Sequence, residues 1–524
     1  MRKQKPKKRT KTPRGEFYQD LGNARGNGPF VSLHPVMLAG TGSDVGKSVL
    51  ATALCRIFRQ DGYNPAPFKA QNMALNSYAT PDGFEIGRAQ AVQAEAAGVP
   101  CHTDMNPLLL KPSSDHTSQV VLNGKPMGNC GAYDYFRKDE GREVLRKEVC
   151  AAFDRLSKKF NPIVMEGAGS ISEINLRDTD LVNMPMARHA GAKVILVADI
   201  DRGGVFASAY GSIALQTPED RKFIKGIIVN KFRGDLRLFE EGVKILEDIC
   251  KVPVLGVVPY FKDIHIEEED SMELAGKQHN AVSGKVNVAV ILLRHISNFT
   301  DFGMLERDPR VNLYYTNNVE EIGKADIIIL PGTKSTIDDL YEIRRNGVAE
   351  AVLRAHKDGT TVMGICGGYQ MMGLSVNDPD GVEGSTKRMP GLGLLPVDTV
   401  MENSKVTRQV SFRFRDNDGC TGYEIHMGRT EAAADAKCSA LNTFSDGSSD
   451  GCFVDERTMG TYIHGILDNP QVIDNLLAPF ASVKSGNQAV SYKEFKEQQY
   501  DLLADHVRRH LNMPLLYKIM SQDD

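Results

Sequence analysis

The sequence predicts an α/β protein built from two doubly wound parallel-sheet domains. In the first half, the short apolar segment 35–39 leads into a glycine-rich loop and then into the helix-like segment 49–59. In the second half, the apolar segment 361–363 leads into another glycine-rich turn, 364–370. Apolar segments alternate with helix-like ones around both loops, and this alternation is typical of parallel sheets covered by helices.

Length and composition indicate a soluble chain of more than one domain. The chain has 524 residues, 41% of them hydrophobic and 25% charged, with a net charge of -4. These values give no reason to expect nucleic-acid binding. The nine cysteines form no CxxC pair or zinc spacing, which favours a reducing cytoplasmic location. No apolar stretch approaches the roughly 20 residues that cross a bilayer, so we expect no membrane contact.

Changes in composition and periodicity divide the chain into segments. The first fifteen residues are rich in Lys and Arg, with almost nothing to bury, and predict a disordered tail. Apolar periodicity is lost around residue 276 and returns at residue 286. We therefore predict a tail at 1–34, a nucleotide-binding domain at 35–275, a linker at 276–285, a second domain at 286–475 and a C-terminal helical segment at 476–524.

The first glycine-rich loop has the features of a phosphate-binding loop. Backbone N–H groups of such a loop surround phosphate oxygens, Lys47 can reach the β and γ phosphates, and the Ser48 hydroxyl can ligate Mg²⁺. Five residues separate Gly40 from Gly46, whereas the usual pattern has four, so a chance glycine-rich turn is the alternative. We assign nucleotide binding to Gly40, Thr41, Gly42, Asp44, Gly46, Lys47, Ser48 and Asn230.

Polar residues follow several predicted strands, at the edge where α/β sheets bind ligands. Glu166 ends the apolar run 162–165, and with Ser48 it could hold the Mg²⁺ of a bound nucleotide; a surface glutamate is the alternative. Asn230 could read the adenine edge of the nucleotide. Substrate or phosphate contacts are assigned to Asp199, Asp201 and Arg202, although residues of this kind also serve as loop or cap residues.

The segment Lys69 to Ser77 places a lysine and several amides where a strand should end. Such a loop suits a polyanionic substrate or a phosphoryl group in transfer, and we assign substrate binding to Lys69 and Asn72. An ordinary capped loop is the alternative, because Asn and Ser are common turn residues.

The second glycine-rich turn predicts a reactive cysteine. Small residues on both sides of Cys366 allow a sharp strand-to-helix turn that exposes the thiol, whereas a buried structural cysteine is the alternative. His464 is the candidate base, since a Cys and a later His can meet in an α/β fold. Gly332 and Gly367 could supply backbone donors for an oxyanion.

Several longer stretches carry a resemblance to a known family. They are KAQNMALNS from Lys69, EIGRAQAVQAEAAG from Glu85, EGAGSISEINLRDTDLVNM from Glu166, VADIDRGGVFAS from Val197 and GYEIHMGRT from Gly422. Together with both loops they resemble the cobyric acid synthases, in which a P-loop ATPase domain similar to dethiobiotin synthetase precedes a class I glutamine amidotransferase domain. The longer glycine loop is also typical of enzymes similar to dethiobiotin synthetase.

This resemblance implies an ATP-dependent, glutamine-hydrolysing enzyme of cobalamin biosynthesis. It would amidate the b, d, e and g carboxylates of adenosylcobyrinic acid a,c-diamide to give adenosylcobyric acid. Glutamine, ATP and a corrinoid would be its small-molecule substrates, and Mg²⁺ would accompany ATP. Cys366 would attack the glutamine amide and His464 would manage the protons.

One position departs from the wider amidotransferase pattern. Many class I members have Glu two residues after the histidine, where this chain has Ile466. We therefore expect a Cys/His dyad, in which another group could orient His464. His426 could contact substrate or serve packing.

Two other functions remain open from the sequence. The chain could be a cobyrinic acid a,c-diamide synthase, or a P-loop regulatory ATPase with an inactive amidotransferase-like domain. The first is disfavoured by the KAQNMALNS and DIDRGG stretches. The second is disfavoured by the intact Cys366 and His464, and by Thr41, where such ATPases usually have lysine.

Overall fold

The computed structural model describes residues 32–112, 117–131, 135, 139–267, 277–434, 436–480 and 491–523. Its first domain contains a six-stranded parallel sheet in the order β12-β11-β10-β1-β9-β2. These strands are β1 (Val36–Gly40), β2 (Ala66–Phe68), β9 (Ile163–Glu166), β10 (Lys193–Asp199), β11 (Ile224–Phe232) and β12 (Val254–Pro259). The central strands β1 and β10 are buried along their whole length, as expected for a sheet covered on both faces.

Helices cover both faces of this sheet. They are α1 (Lys47–Gln60), α2 (Arg88–Ala97), α3 (Asp139–Ser157), α4 (Met184–Ala190), α5 (Val205–Ala214), α6 (Pro218–Arg221) and α7 (Glu240–Cys250). One apolar cluster that includes Leu38 and Leu54 lies on one side, and a second that includes Met37 and Leu196 lies on the other. Alternate residues of β1 thus point to opposite cores, as strand geometry requires.

Small sheets occupy the chain between β2 and α3. Their strands are β3 (Gln71–Met73), β4 (Ser77–Ala79), β5 (Glu85–Gly87), β6 (Leu108–Pro112), β7 (Thr117–Leu122) and β8 (Lys125–Gly131). The stretch from Lys69 to Ser77, which we predicted as a loop, is therefore partly extended. Its residues 71–73 pair with β6 in parallel, which satisfies backbone groups that a loop would leave to solvent.

The second domain has a six-stranded sheet in the order β14-β13-β15-β16-β24-β23. Its strands are β13 (Val286–Ile291), β14 (Val311–Thr316), β15 (Ile327–Leu330), β16 (Thr361–Ile365), β23 (Cys452–Asp455) and β24 (Thr458–Thr461). Five strands run parallel, and β23 pairs antiparallel with β24 at one edge. The α/β architecture with two mainly parallel sheets is as predicted, and the antiparallel edge is an addition made possible by the short β23–β24 turn.

The remaining strands of this domain form a separate sheet. They are β17 (Ser375–Asn377), β18 (Arg388–Pro390), β19 (Val397–Phe414), β20 (Asn417–Ala432), β21 (Asn442–Phe444) and β22 (Ser449–Asp450). The long β19–β20 hairpin reaches the first domain, where Gln409 Nε2 donates to the carbonyl of Ala79 at 2.9 Å. The domain's helices are α8 (Gly303–Arg307), α9 (Val319–Ile322), α10 (Thr336–Arg345), α11 (Val348–Lys357), α12 (Gly367–Met372) and α13 (Pro470–Leu477).

The last two helices return to the first domain. They are α14 (Tyr492–His510) and α15 (Met513–Ser521). Arg56 on α1 pairs with Asp501 at 2.8 Å, and Tyr517 packs edge-on against Phe58. The C-terminal helical segment thus completes the core on one face of the first sheet.

Several other sequence-based expectations can be placed on the structure. Residues 1–31 of the predicted tail lie outside the described residues, whereas Leu33 is buried and the N–H of His34 donates to Met520. All nine cysteines are free. No helix in the described part of the chain is long and apolar enough to cross a bilayer. The cytoplasmic location stays a prediction.

Candidate active sites

The first site forms around the phosphate-type loop between β1 and α1. Lys47 opens α1, and its ammonium donates to the carbonyls of Gly42 at 3.0 Å and Gly169 at 2.9 Å. Gly46, at the helix N-cap, has a φ of 93°, a conformation that glycine adopts without steric cost. The loop therefore holds a lysine ammonium beside a helix N-terminus, an arrangement that attracts phosphate.

Glu166 connects the phosphate-type loop to Lys69, which belongs to the predicted substrate loop. Its Oε1 accepts hydrogen bonds from Ser48 Oγ at 2.8 Å and Lys69 Nζ at 2.9 Å, and its Oε2 accepts one from Gln93 at 2.7 Å. Burial alone would raise the pKa of Glu166, but the Lys69 ammonium and these hydrogen bonds hold it below its ordinary value. Glu166 is therefore a buried carboxylate and not the surface glutamate of the alternative.

The pair Ser48 and Glu166 also fits a magnesium site. Oxygen ligands are what Mg²⁺ prefers, and it usually takes only one or two from protein while phosphates and water supply the rest. Within the described residues, no group of three or more His, Cys, Asp or Glu could hold a metal ion. A two-ligand site completed by nucleotide phosphates agrees with both observations.

Asn230 lies against the phosphate-type loop. Its Nδ2 donates to the carbonyl of Val45 at 2.8 Å, and a Cβ atom on Gly46 would lie 2.2 Å from the same nitrogen. Gly46 thus has to be glycine for two reasons, its positive φ and this close approach. The adenine-reading role of Asn230 stays a prediction.

The five residues predicted to bind substrate separate into two places. Lys69 and Asn72 line the same cavity as the phosphate-type loop. Asp199, Asp201 and Arg202 instead lie at the rim of that loop. There, Asp199 pairs with Lys231 at 3.3 Å, Asp201 with Arg233 at 2.6 Å, and Arg202 with Asp44 at 3.5 Å. Their placement suits organisation of the nucleotide loop as well as substrate contact.

The cavity around this loop measures about 640 Å³. A further cavity of about 540 Å³ shares Gly46, Lys231 and Phe299 with it and extends to Asn230 and Tyr260. Phe299 belongs to the second domain, so the nucleotide site is completed by both domains. The sequence contains no periodic or motif signal that would have assigned Phe299 to this site.

The second site forms at the turn between β16 and α12. Cys366 occupies this turn with φ 53° and ψ -110°. L-residues rarely adopt this strained backbone conformation, and residues that do so are concentrated at active sites and ligand-binding sites. A Cβ atom on Gly368 would lie 1.9 Å from the carbonyl oxygen of Leu330, so the turn requires glycine there. Cys366 is buried, but it lines a small pocket, as a nucleophile would.

His464 lies beside this thiol and is held by a carboxylate. His464 lines the same pocket as Cys366, and its Nδ1 lies 2.7 Å from Asp301 Oδ2. The Cys366 thiol itself donates to the carbonyl of Ile425 at 3.6 Å. The other oxygen of Asp301 accepts the N–H of Gly465 at 2.9 Å. Burial lowers the pKa of His464, but the charges of Asp301 and Cys366 raise it to about 10.

Asp301 is therefore the group that orients His464, and the site contains a Cys–His–Asp arrangement where the sequence predicted a dyad. Asp301 lies 163 residues before His464, in a short turn, Phe299–Phe302, after β13. The sequence did contain a signal for Asp301: it is a polar residue in the connection after a buried strand, and such residues commonly line a site. Nothing local connects Asp301 to either catalytic motif.

The two predicted oxyanion glycines border this site. A Cβ atom on Gly332 would lie 3.0 Å from His464 Cε1, and one on Gly367 would lie 2.6 Å from Thr333 Cγ2. Both glycines thus occupy closely packed positions with little room for a side chain. Their role as oxyanion donors stays a prediction.

The pocket at Cys366 is small, about 50 Å³, and strongly charged. Lys111 of the first domain lines it together with Lys334, Lys405 and Glu383 of the second. Burial raises the pKa of Glu383 to about 7 against the opposing effect of Lys334. A substrate with both an ammonium and a carboxylate group, such as an amino acid, suits these lining charges.

His426 also lines this pocket. Its ring stacks on Tyr462 with the centroids 3.8 Å apart, and its Nδ1 lies 2.8 Å from the carbonyl oxygen of Gly428. The two roles weighed for His426, substrate contact and packing, are therefore compatible in one position.

Comparison with known proteins identifies both domains. Residues 36–274 match the model of the CobQ/CobB/MinD/ParA nucleotide binding domain, and residues 287–472 match that of the CobB/CobQ-like glutamine amidotransferase domain. The chain is 71% identical to a cobyric acid synthase of Phocaeicola vulgatus over 94% of its own length and 99% of the relative's. The chain belongs to the cobyric acid synthase family.

Two further cobyric acid synthases show the same full-length similarity. One from Bacteroides fragilis is 72% identical over 94% of this chain and 99% of the relative. One from Parabacteroides distasonis is 58% identical over 93% of this chain and 98% of the relative. The predicted family and the order of the two domains are thereby confirmed, and the chain is an enzyme.

Proposed function

We propose that this enzyme amidates the b, d, e and g carboxylates of adenosylcobyrinic acid a,c-diamide, with ATP and glutamine, to give adenosylcobyric acid. One observation carries the proposal: a Cys–His–Asp site and a phosphate-binding site adjoin within one chain, and each is lined by residues of both domains. This arrangement suits release of ammonia at one site and its use at the other.

Ammonia release would begin at Cys366. The thiolate attacks the side-chain amide carbon of glutamine, and the oxyanion that forms points toward the Gly332 and Gly367 backbones. His464, held by Asp301, donates its proton to the departing nitrogen, and ammonia leaves. Water then attacks the thioester and its carbon–sulfur bond breaks, giving glutamate, restoring the thiolate and the protonated histidine, and releasing one proton to solvent.

Carboxylate activation would take place at the phosphate-type loop. A corrinoid carboxylate oxygen attacks the γ phosphorus of ATP, forming an acyl phosphate and releasing ADP. Lys47 neutralises charge on the phosphates during this transfer. Ammonia then attacks the acyl carbon, the carbon–oxygen bond to phosphate breaks, and the amide, phosphate and a proton are released.

Mg²⁺ would be held by Ser48 and Glu166. When bound with ATP it would neutralise phosphate charge. Lys69 already neutralises one oxygen of Glu166, so this chain prepares a carboxylate in its charged form beside the phosphates.

Mass spectrometry of the corrinoid product tests the proposal directly. The purified enzyme is incubated with adenosylcobyrinic acid a,c-diamide, ATP, Mg²⁺ and glutamine. Each amidation replaces a hydroxyl with an amino group and lowers the mass by about one unit, so we expect four successive decreases. An unchanged substrate, with ATP hydrolysed and glutamine intact, would instead support a regulatory ATPase.

Cobyrinic acid is the matched control substrate. If it alone is amidated, at two positions, the chain acts as a cobyrinic acid a,c-diamide synthase. The full-length similarity to cobyric acid synthases favours four amidations of adenosylcobyrinic acid a,c-diamide.

A further inference from the structure

The two cavities approach each other along two short stretches of chain. Pro112 lines the nucleotide cavity, and its neighbour Lys111 lines the Cys366 pocket. In the same way, Phe299 lines the nucleotide cavity and its neighbour Asn298 lines the Cys366 pocket. At both places consecutive residues of the chain line the two cavities, and we call the region between them the partition.

A hydrogen bond between the domains closes this partition. The N–H of Ser77 donates to Asn298 Oδ1 at 3.0 Å, and Lys111 Nζ donates to Ser77 Oγ at 2.9 Å. Ser77 is fully buried and Asn298 is 3% exposed, so the junction is shielded from bulk water. The next residue before Ser77, Asn76, lines the nucleotide cavity.

Buried charges surround the junction. Glu85 accepts hydrogen bonds from Lys111 at 2.8 Å and from Lys405, and these two ammonium groups hold the pKa of Glu85 far below its ordinary value despite burial. Lys334 adds a third ammonium at the pocket, although burial lowers its pKa. Positive charge at the junction repels ammonium ions and leaves passage to the neutral molecule.

We propose that ammonia released at Cys366 reaches the nucleotide cavity through the partition at Ser77 and Asn298. The passage opens when the hydrogen bond between these two residues is displaced. Ammonia can replace it transiently, since it both donates and accepts hydrogen bonds as the separated groups require. The inference rests on the proposed function, because it assumes that ammonia is used at the nucleotide site.

Asp301 belongs to the same short segment as the two partition residues Asn298 and Phe299. Asn298, Phe299 and Asp301 lie within four residues of chain, in the turn after β13. One short segment therefore lines both cavities and orients the catalytic histidine.

A single added methyl group tests the passage. Ser77→Thr keeps the hydroxyl that bonds Lys111 and Glu85 but narrows the partition. We expect the ratio of glutamate formed to amide formed to rise about threefold or more from near one, because a methyl group added to a fully packed site obstructs it. Amidation driven by added ammonium chloride should stay within about twofold.

Ser212→Thr is the matched control. Ser212 is equally buried, and its hydroxyl lies 2.7 Å from that of Ser172, but it lines neither cavity. The ratio of glutamate formed to amide formed by Ser212→Thr should stay near that of the wild type. An unchanged ratio in Ser77→Thr, with both variants folded, would overturn the inference.

A second variant opens the partition. Asn298 has a φ of 53°, so Asn298→Gly suits the backbone there. The enzyme is supplied with glutamine labelled with ¹⁵N at the amide and with unlabelled ammonium chloride. We expect the wild type to form mainly labelled product and Asn298→Gly to incorporate at least about twice as much unlabelled nitrogen, since loss of the side chain leaves a gap.

Equal labelling of wild type and Asn298→Gly would contradict the passage. The wild-type reactions separate this result from failure of the proposed function. If the wild type amidates the corrinoid with either nitrogen source, the function holds whatever the variants show. If it amidates with neither, the function itself fails.

Discussion

The two sites of this enzyme differ in how much of each is already assembled. The nucleotide site is an open cavity of about 640 Å³, whereas the pocket at Cys366 has about 50 Å³. Residues other than glycine adopt a positive φ at both sites: Asp44 and Lys231 line the nucleotide cavity, and Asn298 and Cys366 line the pocket. Only at the pocket is one of them the predicted nucleophile. Backbone strain at the second site therefore includes the predicted reacting group.

This difference follows from what each site has to do. The corrinoid and ATP of the proposed reaction are large, so their site needs space, and in that reaction Lys47 and Glu166 would act on the phosphates and their Mg²⁺. The glutaminase site has to form an oxyanion away from water. Its predicted nucleophile and histidine line one pocket, and the histidine already lies within hydrogen-bond distance of Asp301. The two sites should therefore respond differently to substitution.

The largest effect should come from Cys366→Ala. Glutamine-dependent amidation should fall by roughly 10⁵-fold or more, because no other group supplies the covalent step. Amidation with added ammonia should persist, which would separate the two sites cleanly. Initial rates with each nitrogen source measure this, and retained glutamine turnover would show that Cys366 is not the nucleophile.

Asp301→Asn should have the next largest effect. Glutamine hydrolysis should fall by about 10³-fold in kcat, with little change in KM, because an amide does not hold the histidine in the correct protonation state. ATP-dependent amidation with ammonia should be nearly unaffected. Asp308→Asn is a control in the same domain, since Asp308 pairs with Arg310 at 2.6 Å and lines neither cavity.

The same variant should change how stability depends on pH. His464 has a folded-state pKa of about 10, above the value of about 6.5 in an unfolded chain. Its stabilisation is therefore fully present below pH 6.5 and is lost as the pH rises toward 10. Thermal midpoints across this range should fall less steeply in Asp301→Asn, and identical slopes would mean that another group raises the pKa.

Lys47→Ala should affect the other site. Amidation should fall by about 10²- to 10³-fold with glutamine and with ammonia alike, since the phosphates lose their main charge partner. Glutamate formation at Cys366 should remain measurable. If ammonia-driven amidation survives at the wild-type rate, the phosphate-type loop is not where the carboxylate is activated.

The sequence predicted the parts of each site that are local. Cys366 and Lys47 follow buried strands within loops whose glycines are required by close backbone contacts, and such patterns are visible along a few residues. Asp301 and Phe299 reach their sites only through folding, because each comes from a turn far from the motif it serves. Local patterns carry no information about which distant turn will fill a gap.

The same distinction applies to the fold. Alternating strands and helices predicted both parallel sheets, while the antiparallel strand β23 was missed because its four residues are too few for a clear pattern. The C-terminal segment was predicted as helical, and Ser491 indeed forms a capping box with Glu494. Its docking on α1 depends on surfaces that the segment's own sequence does not identify.

Lys405→Met should have the smallest of these effects on catalysis and its main effect on stability. Lys405 pairs with Glu85 across the domains, and both side chains are at least nine-tenths buried. Removing the ammonium leaves Glu85 with Lys111 alone, a loss we expect to lower the thermal midpoint by about 5–10 °C, because breaking a buried pair leaves charge poorly compensated. Arg429→Ala, which removes exposed pairs with Glu402 and Glu431, is the control and should leave the midpoint nearly unchanged. Equal midpoints for both variants would show that this buried pair contributes little to holding the two domains together.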